Sequence, residues 1–384
     1  MKVFLQYPWR FPDSPYYKYL IENPPKNVEY LNIGNQKGVI TDKTKLRKLN
    51  SLKRFIRESV RRLKIPIINA HTTKTNEKYD LIHCAHCLSK NNSPWVVDVE
   101  VLWQFYLGAE INRISTKRIK KLLMRKNCKK IIAWTEHSKK EIENAFPEVK
   151  NKIEVVYPAV PAQKFKKIKD KKIRLFFVGR SFYEKGGLDV LRIFDYLTKK
   201  YNNVECTIVS EIPFSERKRY SHNNKIKFLG LMPKEELNKI YAKTDIFVYP
   251  GYSDTFGFAI LESMSWGIPV VSVKGGSKEE LIKNGKTGFV VEPPKKPYIG
   301  YNKVKNDYSA QHPHYKDWTG DEIEFTEKPD VIKNIIDKTS ILIENRSLLK
   351  KMSSNCLNEI KNEKFSIQKR NKNLQKIYKE SLEV

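Results

Sequence analysis

The chain has 384 residues and a formal net charge of +30, so it is long and strongly basic. Its 40% hydrophobic and 11% aromatic content excludes a disordered protein, and its length suits two domains that each bury a core. No apolar run approaches the roughly 18 residues that a membrane span needs, and residues 1–7 read as a strand and not a signal peptide, so we expect a cytoplasmic protein.

Short apolar runs alternate with segments of helical periodicity along the whole chain. The first half predicts strands at 3–7, 28–33, 80–83, 95–99, 131–134 and 153–157. The second half predicts strands at 173–178, 204–209, 226–229, 246–249, 270–273 and 288–291. Two such series predict an α/β fold with two doubly wound, Rossmann-like domains.

The polar, lysine-rich segment 161–170 reads as the linker between the two series. It places the first domain at 1–165 and the second at 171–364. Residues 293–329 are rich in Pro, Tyr and His without clear periodicity, and we interpret them as an insertion in the second domain.

Two segments of the first domain, 43–64 and 115–130, combine many Lys and Arg residues with apolar residues at helical spacing. Basic amphipathic helices suit anionic membrane surfaces, at about 1 kcal/mol per cation near the surface. They suit nucleic acid equally by charge alone, but no recognised nucleic-acid-binding module is present, which makes this partner the least favoured. A third interpretation is a solvated helix whose apolar stripe packs in the core.

The run His83-Cys84-Ala85-His86-Cys87 looks like half of a zinc site. A structural zinc needs four ligands, and no second Cys or His pair follows at matching spacing. The run continues a predicted strand, where small Cys and Ala suit the domain core. We therefore predict no metal site, and the odd number of scattered cysteines favours a reducing compartment.

The predicted strand 173–178 ends at Gly179-Arg180, and Lys185-Gly186-Gly187 opens an amphipathic helix. A glycine-bearing loop with two cations between a strand and a helix is typical of phosphate binding. Arg180 can grip phosphate oxygens with its planar fork, while Lys185 supplies a compact charge. The simpler alternative is that Arg180 and Lys185 are surface cations on a strand-to-helix loop, which are common in so basic a chain.

The predicted strand 246–249 is followed by two carboxylates eight residues apart, Asp254 and Glu262, with a glycine turn between them. The amides of Thr255, Phe256, Gly257 and Phe258 would begin the next helix and could bind ligand oxygens. Each carboxylate can accept hydrogen bonds from two hydroxyls, which suits a polyol. A helix capped by Asp254 is an equally simple interpretation of this segment alone.

Together with Gly275-Gly276-Ser277-Lys278-Glu279-Glu280-Leu281 and the run 285–290, these motifs resemble retaining glycosyltransferase family 4 of the group 1 glycosyltransferases. The resemblance is strong over about 150–292 and resumes at 349–353 and 363–366. It implies the GT-B fold, with two Rossmann-like domains facing across a cleft, and a last helix at 365–384 that crosses back onto the first domain.

The resemblance also implies an enzyme that transfers a hexose from a UDP- or GDP-sugar to a glycan or lipid-linked acceptor, without a cofactor. Arg180 and Lys185 match the diphosphate-binding pair, beside Gly179. Asp254 matches the first glutamate of the family, which holds sugar hydroxyls, and Glu262 the second, which holds the ribose. Asp replaces the usual Glu at the first position, which puts the donor sugar in question.

The acceptor side is less well marked, because the first predicted strand is followed by an aromatic run without glycine. Tyr16 and Tyr17 could stack on an acceptor sugar. Asp98 and Glu100 lie where relatives often place a histidine near the anomeric carbon, and we predict Glu100 as an acceptor ligand or base. Helix capping or pairing with cations explains these carboxylates equally well.

Several alternatives remain open. A nucleic-acid-binding protein would use the basic face and not depend on Asp254 or Glu262. An epimerase of the same fold would release UDP without an acceptor, and a phosphorylase would need inorganic phosphate. The basic helices leave peripheral attachment to the cytoplasmic membrane face as a further possibility.

Overall fold

The structure is a computed structural model that describes residues 1–7, 14–33, 67–106, 112–164, 171–252, 254–294, 314–316, 322–324 and 327–383. The chain divides into two compact units, Met1–Ala159 with Ile367–Val384 and Val160–Ser366. The predicted basic helix at 43–64, the aromatic loop at 8–13 and most of the predicted insertion at 293–329 lie outside the described residues.

The first unit is built on a parallel sheet of six strands. In chain order its elements are β1 (Lys2–Gln6), α1 (Pro15–Glu22), β2 (Glu29–Leu31), β3 (Ala70–His71), β4 (Leu81–Ala85), β5 (Leu88–Ser89), β6 (Trp95–Val99), α2 (Arg113–Leu123), β7 (Cys128–Ala133), α3 (Glu136–Ala145) and β8 (Ile153–Val155). The sheet order is β2-β1-β4-β6-β7-β8, and β3 and β5 form a separate short pair. Every residue of β4 and β6 is buried, as expected for strands covered on both faces.

The second unit repeats the plan with its own parallel sheet. Its elements are β9 (Ile173–Gly179), α4 (Gly187–Lys200), β10 (Val204–Ser210), α5 (Phe214–Arg219), β11 (Ile226–Leu229), α6 (Lys234–Tyr241), β12 (Ile246–Tyr249), α7 (Phe258–Ser265), β13 (Val270–Val273), α8 (Lys278–Leu281), β14 (Gly288–Val291), β15 (His314–Lys316), β16 (Glu322–Glu324), α9 (Pro329–Glu344) and α10 (Arg346–Lys361). The sheet order is β11-β10-β9-β12-β13-β14. This order is typical of doubly wound nucleotide-binding sheets.

The last helix, α11 (Ile367–Glu380), groups with the first unit. The Tyr378 hydroxyl lies 3.0 Å from the Tyr30 hydroxyl and 2.6 Å from Nδ1 of His83. The buried Arg370 donates from Nη2 to the carbonyl of Asn23 over 2.6 Å. These buried polar contacts fix the helix against the sheet and α1.

The six predicted strands of the second unit agree with the observed ones to within one residue. In the first unit, β7 begins earlier than predicted, at Cys128, and β2 is shorter than the predicted 28–33. None of the helices in the described part of the chain combines the length and apolar character needed to cross a membrane.

Candidate functional site

The second unit places two of its sequence motifs at neighbouring strand ends. β9 and β12 pair in parallel through Leu175 with Ile246 and Phe176 with Phe247. They are the central strands at which the strand order reverses, and ligands of such sheets bind beyond the carboxyl ends at this position. Arg180 and Lys185 follow β9, and Asp254 follows β12, so the fold brings these residues to one edge of the sheet.

Lys185 and Asp254 form an ion pair at this edge. Nζ of Lys185 lies 3.4 Å from Oδ1 of Asp254, and the two side chains are 20% and 13% exposed. The hydroxyl of the buried Tyr249 donates to Oδ2 of Asp254 over 2.7 Å. The carboxylate is thus held from two sides, while Arg180 is exposed to solvent.

Glycines allow the loops after β9 and β12 to approach each other closely. Gly186 has φ +83°, and a Cβ added there would lie 2.7 Å from Cβ of Pro250. The amide of Gly251 donates to the carbonyl of Lys185 over 3.1 Å. The two loops therefore form one connected structure, in which Gly186 cannot be replaced without strain.

The predicted glycine turn precedes α7 as expected. Gly257 is the N-cap of α7 with φ +96°. Phe256 is buried, whereas Thr255 and Phe258 are partly exposed. The amides at this helix start carry the partial positive charge of a helix N-terminus, next to the Lys185 and Asp254 pair.

Glu262 has a partner that the sequence did not indicate. Its Oε1 lies 2.6 Å from Nζ of Lys234, and the Glu262 side chain is 15% exposed. Lys234 begins α6, in the connection that leaves the carboxyl end of β11. Its position after a parallel strand is the one signal that could have singled it out.

Lys278 is the second residue that the sequence analysis missed, although it lies within the quoted Gly275–Leu281 run. Its side chain is buried, and Nζ donates to the carbonyls of Pro250 over 3.1 Å and Gly251 over 2.7 Å. Burial lowers the pKa of Lys278 to about 8, with Asp254 acting in the opposite direction. A lysine that grips the loop before Asp254 belongs to this site.

In the first unit, Asp98 is fully buried at the end of β6. It accepts hydrogen bonds from the Tyr17 hydroxyl over 2.7 Å and from the amide of His86 over 3.0 Å. Its carboxylate also lies 3.3 Å from Nε2 of His83 and 3.4 Å from Nδ1 of His86. Burial alone would raise the pKa of Asp98, but His86, His83 and Tyr17 lower it below its usual value.

The predicted acceptor residues of the first unit differ in their exposure to solvent. Tyr16 and Tyr17 are buried, and the Tyr16 ring packs against Trp134 with centroids 4.4 Å apart. Glu100 is partly exposed beyond β6, and its Oε2 accepts from Nε2 of Gln104 over 3.3 Å. The role of these residues in acceptor binding stays a prediction.

The cysteines of the His83–Cys87 run are buried and not disulfide-bonded. Nε2 of Gln6 lies 3.4 Å from Sγ of Cys87 and 3.6 Å from Sγ of Cys84. Within the residues that the structure describes, no group of three or more His, Cys, Asp or Glu side chains is arranged to hold a metal ion. The run forms part of the sheet and the loop that follows it.

Solved structures with the same fold span nearly the whole chain. A glycosyltransferase of Rickettsia africae aligns with 100% of this chain and 98% of its own at a TM-score of 0.59 and 15% identity. HepE of Anabaena, crystallised with UDP, aligns with 98% of each chain at a TM-score of 0.59 and 16% identity. The predicted fold class is confirmed: the protein is α/β, with two Rossmann-like units of the GT-B type.

Sequence comparison finds a family similarity in the second unit. Residues 161–299 match the family model described as glycosyl transferases group 1. The resemblance to the group 1 glycosyltransferases is thus confirmed over this segment, which makes up about a third of the chain.

Curated relatives match over part of their length. A probable sucrose-phosphate synthase of Thermosipho melanesiensis is 27% identical over 45% of this chain and 44% of its own. An uncharacterised protein from the cps region of Klebsiella pneumoniae is 27% identical over 56% of this chain and 58% of its own. An uncharacterised glycosyltransferase of Methanocaldococcus jannaschii is 24% identical over 60% of this chain and 67% of its own. The chain thus spans about half the length of the first two relatives.

Proposed function

We propose that the protein is a retaining, metal-independent glycosyltransferase that moves a sugar from a nucleotide-diphosphate sugar to a glycan or lipid-linked acceptor. The observation that carries this proposal is the Lys185 and Asp254 pair at the adjacent ends of β9 and β12. It combines a cation for phosphate with a carboxylate for hydroxyls at the position where doubly wound sheets bind nucleotides.

Each residue of the proposed donor site has a distinct task. Arg180 and Lys185 bind the diphosphate next to Gly179, because cations and helix amides suit phosphate oxygens. Asp254 accepts hydrogen bonds from sugar hydroxyls, assisted by the amides of 255–258. Glu262, held by Lys234, accepts from the ribose. The related HepE of Anabaena was crystallised with UDP-glucose, which supports a nucleotide-sugar donor.

The proposed chemistry depends on where charge develops. As the bond from the anomeric carbon to the phosphate stretches, negative charge grows on the departing diphosphate. Fixed cations at that position stabilise the transition state more than the ground state. Arg180 and Lys185 supply this stabilisation, and the sequence has no Asp-x-Asp pair of the kind that holds a metal in other transferases. Retention of configuration rests on the family resemblance.

On the acceptor side we propose Glu100 as the residue that binds or deprotonates the acceptor hydroxyl. Its carboxylate is partly exposed, whereas Asp98, Tyr16 and Tyr17 are buried. The three buried residues would act by holding the end of β6 in place. The Tyr17 hydroxyl donates to Asp98, two residues before Glu100.

A thermal-shift screen against UDP- and GDP-sugars tests the donor proposal. A ligand present at 100 times its dissociation constant stabilises the folded protein by about 2.7 kcal/mol. We expect at least one nucleotide sugar to raise the melting temperature, and the free sugars to have no effect. The absence of any shift across the panel would refute the proposal. In a separate assay of the nucleotide sugar without an acceptor, release of UDP would instead indicate an epimerase.

We also propose that α2 contacts an anionic membrane surface. Ile119 and Leu123 are buried, as in the solvated-helix interpretation, whereas Ile114 and the C-cap residue Met124 are exposed. The exposed side of α2 presents the cations Lys117, Arg118 and Lys121. A lipid-linked acceptor would be reached from such a surface, where each cation contributes about 1 kcal/mol.

Flotation with vesicles of phosphatidylcholine, with and without phosphatidylglycerol, tests this contact. We expect flotation only with the anionic lipid, and its loss in a double variant with Lys117→Glu and Lys121→Glu. The matched control changes two exposed cations of α5 in the other unit, Arg217→Glu and Lys218→Glu. Binding that ignores lipid charge, or that is weakened equally by both double variants, would contradict the proposed surface.

A further inference from the structure

Lys278 is a buried cation that none of the proposed binding roles uses. It is the first residue of α8, and its side chain is 3% exposed. Taking an ammonium out of water is unfavourable unless its donors find partners. Here the partners are the backbone carbonyls of Pro250 and Gly251, at 3.1 and 2.7 Å.

The neighbouring Ser277 makes a matching contact on the other side of Asp254. Its hydroxyl lies 2.7 Å from the carbonyl of Phe256 and 3.2 Å from that of Thr255. Gly276 brings the turn close, since a Cβ added there would lie 3.5 Å from the carbonyl oxygen of Asp254. The turn 275–278 therefore contacts the Asp254 loop both before and after the carboxylate.

The same contacts reach the loop that carries Lys185. The carbonyl of Gly251 accepts from Lys278, and the amide of Gly251 donates to the carbonyl of Lys185. One buried ammonium is thus connected through Gly251 to the backbone of Lys185, and it holds the turn that precedes Asp254. The charged groups that act on it are Asp254, Lys185 and Glu279.

We propose that Lys278 is a positioning residue of the donor site, whose charged ammonium fixes the Pro250–Gly251 turn and thereby sets Asp254 and Lys185 for binding a diphosphate sugar. This inference rests on the proposed function. Lys278 acts through backbone carbonyls and through its charge, and it forms no bond to the reacting atoms.

The charge of Lys278 gives the proposal a pH signature. The pKa of this lysine is lowered to about 8, mainly by burial and also by Lys185, while Asp254 and Glu279 act in the opposite direction. The ammonium is charged below this pH and neutral above it. A diphosphate that binds nearby favours the charged form, so its affinity falls as the pH rises through about 8.

Isothermal titration calorimetry with UDP-glucose and GDP-mannose, between pH 6.5 and 9, tests the inference on the full-length protein. Lys278→Met removes the hydrogen bonds from the ammonium to the Pro250–Gly251 turn, so Asp254 and Lys185 are no longer held for binding. We expect the affinity for the nucleotide sugar at pH 7 to fall at least about tenfold, which is the lower range for losing a hydrogen bond from a charged group. The variant also loses the fall in affinity near pH 8. Lys278→Arg keeps the charge, so it restores most of the affinity and binds independently of pH in this range.

Lys286→Met is the matched control, because it removes one exposed charge from the same unit. Its affinity for the nucleotide sugar, and the pH dependence of that affinity, should match those of the wild type. Titration of the ligand itself is the same for all variants, so it cannot cause a difference between them. Circular dichroism checks that each variant is folded. If Lys278→Met does not fold, the wild-type pH profile and Lys278→Arg decide.

The outcomes separate this inference from the proposed function. If the wild type binds a nucleotide sugar and Lys278→Met binds it equally well with an unchanged pH profile, the positioning role is refuted and the donor site stands. If the wild type binds no nucleotide sugar at any pH, both proposals fail.

Discussion

The roles proposed for Lys185 and Asp254 lead to a prediction that distinguishes binding of the nucleotide from binding of the sugar. If Lys185 binds diphosphate and Asp254 binds sugar hydroxyls, Lys185→Met should weaken both UDP and UDP-glucose, whereas Asp254→Asn should weaken only UDP-glucose. Both variants break the same ion pair, so a purely structural role of the pair predicts the same effect from each. The comparison therefore tests function and not stability.

The structure sets the expected magnitude. Two unit charges 3.4 Å apart attract by about 5 kcal/mol at an effective dielectric constant of 20. Desolvation and partial exposure offset most of this, as for other ion pairs. Towards a ligand, loss of one hydrogen bond from a charged group corresponds to about 1.5–3 kcal/mol, or roughly 10- to 100-fold in affinity. We expect a weakening of that size for Lys185→Met with both ligands.

Asp254→Asn keeps the size of the side chain and its capacity to accept from Tyr249. The substitution removes a negative charge next to the diphosphate, and this does not weaken the binding of an anion. The affinity for UDP should therefore stay within about threefold of the wild-type value. UDP-glucose should lose about tenfold, because the amide is a weaker acceptor for sugar hydroxyls than the carboxylate.

Calorimetric titration with UDP, GDP and the sugar nucleotides that respond in the thermal-shift screen measures these affinities. Lys286→Met again controls for net charge. The reasoning is refuted if Lys185→Met binds UDP as tightly as the wild type. It is also refuted for Asp254 if Asp254→Asn weakens UDP as strongly as UDP-glucose.

Two further predictions concern folding. Gly186→Ala should lower the stability of the second unit by about 2 kcal/mol or more, because a left-handed φ and a close contact with Pro250 both become strained. The control is Gly230→Ala, whose added Cβ meets no atom within 4 Å and whose stability should stay near that of the wild type. Equal melting temperatures for the two variants would contradict the geometry. Asp98→Asn should destabilise the first unit by about 3 kcal/mol at neutral pH, since it removes the buried carboxylate that accepts hydrogen bonds from the Tyr17 hydroxyl and the His86 amide. The folded-state pKa of Asp98 lies below its usual value, so its stabilisation is present at neutral pH and is lost as the pH falls from about 4 through the folded-state value. Urea unfolding at pH 7 and pH 3 should therefore show a wild-type advantage that shrinks in acid, and an advantage that is independent of pH would disprove this role.

The sequence by itself determined most of the secondary structure elements and the family resemblance. Strand β12 could be predicted because four apolar, mostly β-branched or aromatic residues end at Pro250 and Gly251. Gly179, Arg180, Lys185 and the spacing from Asp254 to Glu262 indicated a resemblance to the group 1 glycosyltransferases, whose family model matches residues 161–299. These features are local, since periodicity and turn residues act within a few positions of the chain.

Only the tertiary structure decided which residues meet. The order of the second sheet makes β9 and β12 neighbours and so brings Lys185 to Asp254. The packing of the second unit also pairs Glu262 with Lys234 and brings Nζ of Lys278 to the Pro250 carbonyl. In the first unit, packing buries Asp98 next to His83, His86 and Tyr17. Such contacts depend on strand order and helix packing, which are fixed by burial and hydrogen bonding across the whole unit. No local pattern in the chain encodes them.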